Sequence, residues 1–262
     1  MVGTRILVTT ALMLTTATGA ATRADCIDYA PAPPHIVGSV DTPGHAYDVA
    51  VSGSYAYVAD HSSGLAVIDI SDTASPHIVA TVDTPDLALG VAVSGSYAYV
   101  ADYGSGLAVI DISDPASPHV VGSANTPGYA RDLTVSGSYA YVGDDASGLQ
   151  VVDISNPTSP HIVGGVNTPG EAYGVAVAGT YAYVADMSSG LQVIDISHPA
   201  SPHIVAAVDT PEAAYGVAVA GGYAYVGDGA TGLVVIDISD PASAHVVGSV
   251  NTPGYARGVA VL

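Results

Sequence analysis

The stretch Tyr55-Ala56-Tyr57-Val58-Ala59-Asp60, followed after a short turn by Gly64-Leu65-Ala66-Val67-Ile68-Asp69-Ile70-Ser71, decides the fold of this chain. Both runs are short, rich in β-branched and aromatic residues, and bounded by Gly, Ser and Asp, which is typical of strands and turns. Successive side chains of a strand point to opposite faces of the sheet, so the two tyrosines share one face and Ala56 and Val58 the other. Both faces are therefore apolar, and the sheet must be covered on both sides.

The same phrase returns every 42 residues without an insertion or deletion. Each unit opens with a Pro-His phrase, continues to a Thr-Pro pair and then reaches the two strands quoted above. The units start at Pro34, Pro76, Pro118, Pro160 and Pro202, and a partial unit starts at Ala244. A fixed period of this length is typical of a repeat protein, in which each unit buries its apolar faces only against its neighbours.

Four strands are predicted in the first unit, over residues 46–51, 55–59, 65–70 and 77–82. Gly53 and Ser54 form a tight hairpin between the first two, and no stretch shows a helical period. Four-stranded units of about 40 to 45 residues that are covered on both faces are the blades of a β-propeller. The sequence therefore predicts an all-β fold, a single β-propeller domain over residues 25–262.

The two ends of the chain both contribute to the predicted closing blade. Residues 256–261 repeat the first strand of a blade, residues 26–29 resemble a third strand, and residues 35–40 repeat a fourth. Sharing one blade between both ends hides sheet edges. This arrangement predicts six blades with an incomplete closing blade that lacks its second strand, or else a natural chain that continues beyond Leu262. The alternative is five blades with spare terminal strands.

Residues 1–24 lie outside the repeat and have the pattern of a secretory signal peptide. A short leader with Arg5 precedes an apolar or small uncharged run over residues 6–21, and cleavage is predicted after Ala20, Ala21 or Ala24. We therefore expect a secreted, periplasmic or cell-surface protein, without membrane insertion after cleavage. An uncleaved N-terminal anchor is the alternative. Cys26 is the only cysteine, so stability depends on packing rather than on an intrachain disulfide.

The chain is strongly acidic, with 24 Asp and Glu residues against 4 Lys and Arg and a formal net charge of −20. Beyond the leader only Arg131 and Arg257 remain, and lysine is absent. Contacts to phosphates need Lys and Arg, so nucleic acid and anionic membranes are excluded as partners. Divalent and organic cations are compatible with this charge.

Two phrases resemble a known family of repeats. Tyr-Val-Ala-Asp over residues 57–60, 99–102 and 183–186, and Leu-Gln-Val-Ile-Asp-Ile-Ser over 191–197, are similar to the LVIVD repeat of exported bacterial and archaeal surface proteins. The resemblance covers residues 26–262. It implies a propeller on or outside the cell, and it brings no catalytic residues that could be transferred to this chain.

Three positions of the unit change size and charge from copy to copy, while the hairpin glycine, both tyrosines and the Asp-Ile-Ser phrase hardly change. The first series is His45, Leu87, Tyr129, Glu171, Ala213 and Tyr255. The second series is Tyr47, Leu89, Arg131, Tyr173, Tyr215 and Arg257. The third series is His61, Tyr103, Asp145, Met187 and Gly229. In a propeller all three lie on connections that open on one face, around the mouth of the central channel, where ligands of this architecture usually bind.

These series supply the candidate ligand-binding residues, which are His45, Tyr47, His61, Leu89, Tyr103, Tyr129, Arg131, Asp145, Glu171, Tyr173, Tyr215, Tyr255 and Arg257. The expected partner is an extracellular protein or a glycan, and an anionic or carbohydrate ligand flanked by Tyr47, Tyr173 and Tyr215 fits the arginines. Free drift of exposed loop positions explains the same variation without any ligand.

Other recurring polar residues are interpreted as structural. The six histidines at 35, 77, 119, 161, 203 and 245 are spread around the circumference, whereas a metal needs converging ligands. Asp60, Asp102, Asp144, Asp186 and Asp228 are expected to accept backbone N–H bonds and fix turns. A calcium ring that adds Asp41, Asp83 and Asp209 is the alternative, although no cofactor is predicted. The G-x-G-x-x-G spacing at 227–232 precedes a strand and so does not bind a nucleotide.

The sequence shows no converging acid, base or metal ligands, which favours a non-catalytic binding scaffold that uses one face of the ring. A hydrolase or lyase at the channel mouth is the alternative, with candidate residues His45, His61, Asp48, Asp132, Asp145 and Glu171. A structural spacer within a longer surface protein is a third hypothesis.

Overall fold

Five four-stranded antiparallel sheets, spaced by the 42-residue period, make up the computed structural model, which describes residues 35–261. Each sheet takes three strands from one unit and its fourth from the start of the next unit. In every sheet the strand order follows the chain. The strands are β1 (Asp48–Ser52), β2 (Tyr55–Ala59), β3 (Leu65–Asp69), β4 (His77–Val82), β5 (Gly90–Ser94), β6 (Tyr97–Ala101), β7 (Leu107–Asp111), β8 (His119–Ala124), β9 (Asp132–Ser136), β10 (Tyr139–Gly143), β11 (Leu149–Asp153), β12 (His161–Val166), β13 (Val175–Ala178), β14 (Tyr181–Ala185), β15 (Leu191–Asp195), β16 (His203–Val208), β17 (Gly216–Ala220), β18 (Tyr223–Asp228), β19 (Gly232–Asp237) and β20 (His245–Val250). A single 3-10 turn, Pro241–Ser243, precedes β20.

The predicted strands of the first unit match this architecture closely. The second and fourth strands have the predicted bounds, while the first runs over Asp48–Ser52 and the third ends at Asp69. The two-residue hairpin between β1 and β2 is present, and Gly53 has the positive φ of 59° that such a turn requires. The outermost strand of each blade is joined to the third with a shift in register, as between Val67 and Ile68.

Most of the hydrophobic core lies between neighbouring blades, and a smaller cluster covers the first blade beside Val40 of the N-terminal segment. One cluster joins Tyr57, Leu65 and Val67 of the first blade to Val100 and Ile110 of the second. The next blade pairs repeat this arrangement. Successive innermost strands, β1, β5, β9, β13 and β17, contact one another in that order. The prediction that both faces of the sheet are covered is confirmed, and so is the β-propeller fold.

The blade count needs a correction, because the described residues form five complete blades and no sixth sheet. Residues 35–40 and 256–261, predicted as strands of a closing blade, are not strands in the structure. A strand needs a hydrogen-bonded neighbour, and no second strand of a sixth unit lies within the sequence to supply one. The five-bladed alternative with additional terminal segments therefore describes the observed sheets.

Both terminal segments nevertheless lie where strands of a sixth blade would lie. A Cβ on Gly38 would stand 2.2 Å from Thr73 O, just as a Cβ on Gly122 of β8 would stand 2.3 Å from Pro157 O of the next blade. At the other end, a Cβ on Gly216 would stand 2.3 Å from Arg257 O, so residues around Arg257 lie directly beside β17. The ring thus has six places around its axis, and the chain ends reach the sixth.

The predicted signal peptide at 1–24 and the predicted strand at 26–29 lie outside the described residues. Within residues 35–261 no helix has the length and apolar character needed to cross a bilayer.

Candidate functional site

The whole second series lines one cavity at the axis of the ring. The cavity has a volume of about 290 Å³ and is bounded by Tyr47, Leu89, Arg131, Tyr173, Tyr215 and Arg257, together with the residues that follow them in the chain. One residue comes from each of the six places of the ring. The expectation that these connections open on one face is thus met by the geometry, although binding there stays a prediction.

Main-chain hydrogen bonds fix the backbone of the second-series residues at the entrance to the innermost strands. In the first blade Tyr47 N donates to Ala59 O at 2.9 Å, just before β1 begins. The corresponding bond from Arg131 N to Gly143 O is 2.8 Å, and Leu89, Tyr173 and Tyr215 make the same contact. Because the bond uses only backbone atoms, each side chain at this position can change without moving the strand.

The third series lies on a strained turn. His61, Tyr103, Asp145 and Met187 have φ values between 43° and 54°, and glycine takes this place in the fifth blade. Left-handed backbone is costly for a residue with a Cβ, by roughly 1–2 kcal/mol. An isolated bridge holds the turn, since His61 N donates to Ala88 O at 3.0 Å and Ala88 N donates back to His61 O at 3.1 Å. The bridge ties each blade to the connection that enters the next.

Aromatic and arginine side chains of the three series stack on one another around the cavity. The guanidinium of Arg131 lies 5.1 Å from the centre of the Tyr103 ring and 4.9 Å from that of Tyr173, so it is held between two rings. It also donates through Nε and Nη2 to Asp145 Oδ2, at 2.9 and 2.5 Å. Burial would lower the pKa of Arg131, but these bonds and the neighbouring charges raise it instead.

Arg257 occupies the same repeat position with different neighbours. Its guanidinium lies 5.2 Å from the centre of the Tyr215 ring, and Tyr215 meets Tyr173 edge to face at 5.8 Å. Among residues 35–261 no carboxylate forms an ion pair with Arg257. The two arginines of identical phrases are therefore chemically distinct, since one is neutralised and the other is not.

The first series forms the outer rim of the mouth. Tyr47 stacks on His61 at 5.1 Å, and His45 meets the same imidazole edge to face at 6.0 Å. Tyr129 stacks on Tyr103 at 4.3 Å. Glu171 lines a separate depression with Met187 and Ala213. Tyr255 is highly exposed.

A second layer of residues lies directly beneath the second series. The positions that follow it in the chain read Asp48, Gly90, Asp132, Gly174, Gly216 and Gly258, and all but Gly90 line the cavity. Asp48 Oδ2 accepts a bond from Val91 N at 2.9 Å, and Asp132 Oδ2 accepts one from Val175 N at 3.1 Å. Each carboxylate thus bonds to the innermost strand of the next blade.

The two carboxylates lie on either side of Gly90 and Val91. Asp48 reaches the Val91 amide, whereas Asp132 Oδ1 lies only 3.0 Å from where a Cβ on Gly90 would stand. Enclosure by protein and the nearby charge of Asp48 raise the pKa of Asp132 to about 7, although amide bonds from Val175 and Leu133 oppose this. Burial likewise raises the pKa of Asp48, and amides of Val91 and Val49 oppose the rise. One proton on this pair is therefore held up to neutral pH.

The turn aspartates have the structural role that their position predicts. Asp60 is fully buried, accepts from Thr42 Oγ1 at 2.6 Å and accepts from Gly44 N at 2.8 Å. Asp144 and Asp186 make the same pair of contacts. In the two units with Asp86 or Glu212 after the Thr-Pro pair, the threonine hydroxyl turns away to a backbone carbonyl.

The calcium ring is not supported by the geometry of the described part of the chain. No three His, Cys, Asp or Glu side chains of residues 35–261 lie close enough together to hold a metal ion. Five of the recurring histidines begin the outermost strands, at the end of the blades opposite to the mouth, and His35 lies in the N-terminal segment. All six are exposed. The absence of a cofactor stays a prediction.

From the sequence, Asp48 and Asp132 were considered only as candidate residues of an enzyme. Their position beside the second series was not recognised as part of the site. The signal was present, because a single repeat position alternates between Asp and Gly in a framework that otherwise hardly varies. Glycine at this position leaves room for the neighbouring segment of the chain. The residue type there therefore depends on how closely the segments approach at the axis as well as on the chemistry of the site.

The fold and the axial cavity define a repeat-built β-propeller. The model of the LVIVD repeat matches residues 43–84, 87–126, 127–168, 169–210 and 212–252. The chain therefore belongs to the LVIVD repeat family.

Solved structures extend the likeness of fold only. A functionally unknown protein from Desulfotomaculum acetoxidans DSM 771 has a TM-score of 0.72 at 16% identity, over 87% of this chain and 78% of that one. The computationally designed Ika8 protein has a TM-score of 0.63 at 10% identity, over 85% of this chain. This chain spans 66% of the designed protein's length. No curated protein matches the sequence.

Proposed function

We propose that this LVIVD-repeat propeller is a non-catalytic binding scaffold outside the cell, which engages an extracellular protein or glycan through the face on which the axial cavity opens. One observation carries the proposal. The residues of the second series, which vary between otherwise constant units, all line a single cavity. Export is part of the proposal and rests on the signal-peptide pattern of residues 1–24.

The chemistry of this face suits recognition. Exposed rings of Tyr47, Tyr129 and Tyr255 surround the mouth, and arginine side chains are stacked on tyrosines just inside it. Aromatic residues and arginine are enriched where proteins bind partners, because they bury large surfaces at low entropic cost. The four left-handed turns of the third series add support, since strain of this kind clusters at functional sites.

An enzymatic site is less well supported. His61 contacts both His45 and Tyr47, but no hydrogen bond among residues 35–261 joins either imidazole to Asp48, Asp132 or Glu171. General acid–base catalysis needs such groups within reach of one reacting centre.

The test is a binding screen of the full chain against a glycan array and a set of secreted and surface proteins. The double variant Arg131→Ala/Arg257→Ala should lose binding of any hit by about tenfold or more, since hot-spot arginines contribute at least this much. The matched control is His119→Ala/His203→Ala at the opposite ends of the blades, which should bind like the parent chain. Equal binding by both double variants would remove this face as the site, and no hit at all would favour the spacer hypothesis.

A further inference from the structure

Binding of a large partner at the rim does not explain the carboxylates in the second layer of residues, which lies beneath the second series in the axial cavity. Two carboxylates, Asp48 and Asp132, line the same small space as Arg131 and Arg257, and among residues 35–261 neither carboxylate forms an ion pair. Arg131 donates through Nε and Nη2 to Asp145 instead, and the guanidinium of Arg257 lies over the Tyr215 ring. Two half-buried carboxylates in one cavity without an ion-pair partner are costly, and a bound cation would relieve that cost.

Backbone hydrogen bonds hold both carboxylates in fixed orientations. Val91 N of the next blade bonds to Asp48, while Val175 N of the next blade and Leu133 N of the same strand bond to Asp132. A carboxylate oxygen has two acceptor sites, so these bonds orient the groups and leave capacity toward the cavity. The missing side chain at Gly90 supplies the room that Asp132 occupies.

Aromatic rings form the wall above the carboxylates. Tyr47, Tyr173 and Tyr215 line the cavity together with Asp48 and Asp132. The faces of aromatic rings attract cations, and quaternary ammonium groups are bound in proteins by such walls. The net charge of −20 adds a long-range attraction for positive ligands.

We propose that the axial cavity binds a small organic cation, whose ammonium group lies between Asp48 and Asp132 and whose carbon skeleton contacts the rings of Tyr47, Tyr173 and Tyr215. The proposal deepens the binding function above and rests on it. A metal ion fits less well, because the described residues bring no third His, Cys, Asp or Glu ligand to the pair.

Binding of the cation is linked to pH through the pair. The charged and titratable groups that face Asp132 are Asp48 from the first blade, Arg131 on its own connection, Tyr173 and Tyr215 from the next two blades, and Arg257 from the terminal segment. A cation favours the ionised pair, so it displaces the shared proton. The affinity therefore rises with pH through neutrality and levels off above it.

Isothermal titration of the full chain with tetramethylammonium and with n-butylammonium tests the proposal, and tert-butanol serves as a neutral probe of similar size. The chain should bind both cations more tightly at pH 8 than at pH 5.5 and should not bind the alcohol measurably. Asp48→Asn and Asp132→Asn should each weaken cation binding by about tenfold or more. Asp111→Asn removes the same charge at an exposed turn and should leave the affinity unchanged.

Three outcomes would overturn the proposal. The first is an equal loss of cation affinity in the Asp111 variant, which would show that net charge alone explains the effect. The second is binding of the neutral alcohol with the affinity of the cations. The third is displacement of the organic cation by Ca²⁺ at matched concentration. Thermal melts of all variants confirm that they fold. If a macromolecular partner binds the rim while no cation binds the chain, the ligand class is wrong and the binding function stands. If neither binds, both fail.

Discussion

Asp144 and Asp132 lie in the same blade, the first fully buried and the second half-buried, but the structure uses the two carboxylates in opposite ways. Asp144 accepts from Thr126 Oγ1 at 2.5 Å and from Gly128 N at 2.7 Å, both in its own unit. Asp132 accepts from an amide of the next blade and faces a cavity that also contains Asp48. The first aspartate recurs in all five blades, whereas the second position is aspartate in two units and glycine in the others.

The difference teaches how to separate framework from site in a repeat protein. A buried polar residue that completes its own unit must be present in each copy, since every copy has the same donors to satisfy. A buried polar residue that is present in some copies alone satisfies no such local need. Its cost must then be offset by something outside the repeat, and here the available space is the axial cavity.

Removing the framework carboxylate should have the largest effect. Asp144→Ala leaves a hydroxyl and an amide without their acceptor, and we expect a loss of about 3 kcal/mol in the free energy of unfolding measured in urea. Asp102→Ala is the matched control, because Asp102 Oδ1 has no hydrogen-bond partner and Thr84 bonds elsewhere. Its loss should be smaller, and equal losses would show that the threonine contact contributes nothing.

Filling the space beside Asp132 should have an intermediate effect. In Gly90→Ala the new Cβ would stand 2.8 Å from Asp132 Cα and 3.2 Å from Arg131 O, so backbone of two blades must move. Overpacking of this kind costs about 2 kcal/mol. Gly248→Ala adds the same methyl group where nothing lies within 4 Å, and its free energy of unfolding should stay within about 0.5 kcal/mol of the parent. A comparable loss in both variants would mean that glycine at 90 serves backbone freedom and not space.

The pH dependence should show the smallest effect and the sharpest contrast. The pKa of Asp132 is about 7 in the folded chain, against an ordinary value of 3.8 for an aspartate. The folded state therefore holds its proton more tightly, and its contribution to stability falls as pH rises from about 4 to above 7, by on the order of 1–2 kcal/mol since channel water screens it. Asp132→Asn should remove this fall in urea unfolding measured from pH 4 to 8.

An exposed turn aspartate serves as the control with the opposite sign. Hydrogen bonds from Ser113 lower the pKa of Asp111, so its stabilisation is lost as pH falls below its ordinary range. Asp111→Asn should leave the fall between pH 4 and 7 in place. If the Asp132 variant retains that fall, the raised pKa belongs to another group.

The repeat itself makes most of the fold predictable from the sequence. The period, the hairpin at Gly53 and the strand over Tyr55–Ala59 follow from local residue types, and the structure confirms them. The second series was placed at the mouth because strand topology fixes which connections share a face. Pairwise contacts such as Arg131 with Asp145 were not predicted, since they depend on rotamers and on the rotation between blades. The terminal strands were predicted wrongly, because a single strand's pattern does not reveal whether it has a neighbour.

The isolated bridges of the third series have a consequence for how such a chain can change. The bridge uses main-chain atoms alone, so imidazole, phenol, carboxylate, thioether and hydrogen all occupy the same left-handed position in different blades. If a unit moved by 42 residues along the chain, its third-series side chain would lie at the next position around the mouth, held by the same backbone bridge. Duplication or exchange of whole units would therefore change the order of chemical groups around the opening, while each blade keeps its own packing.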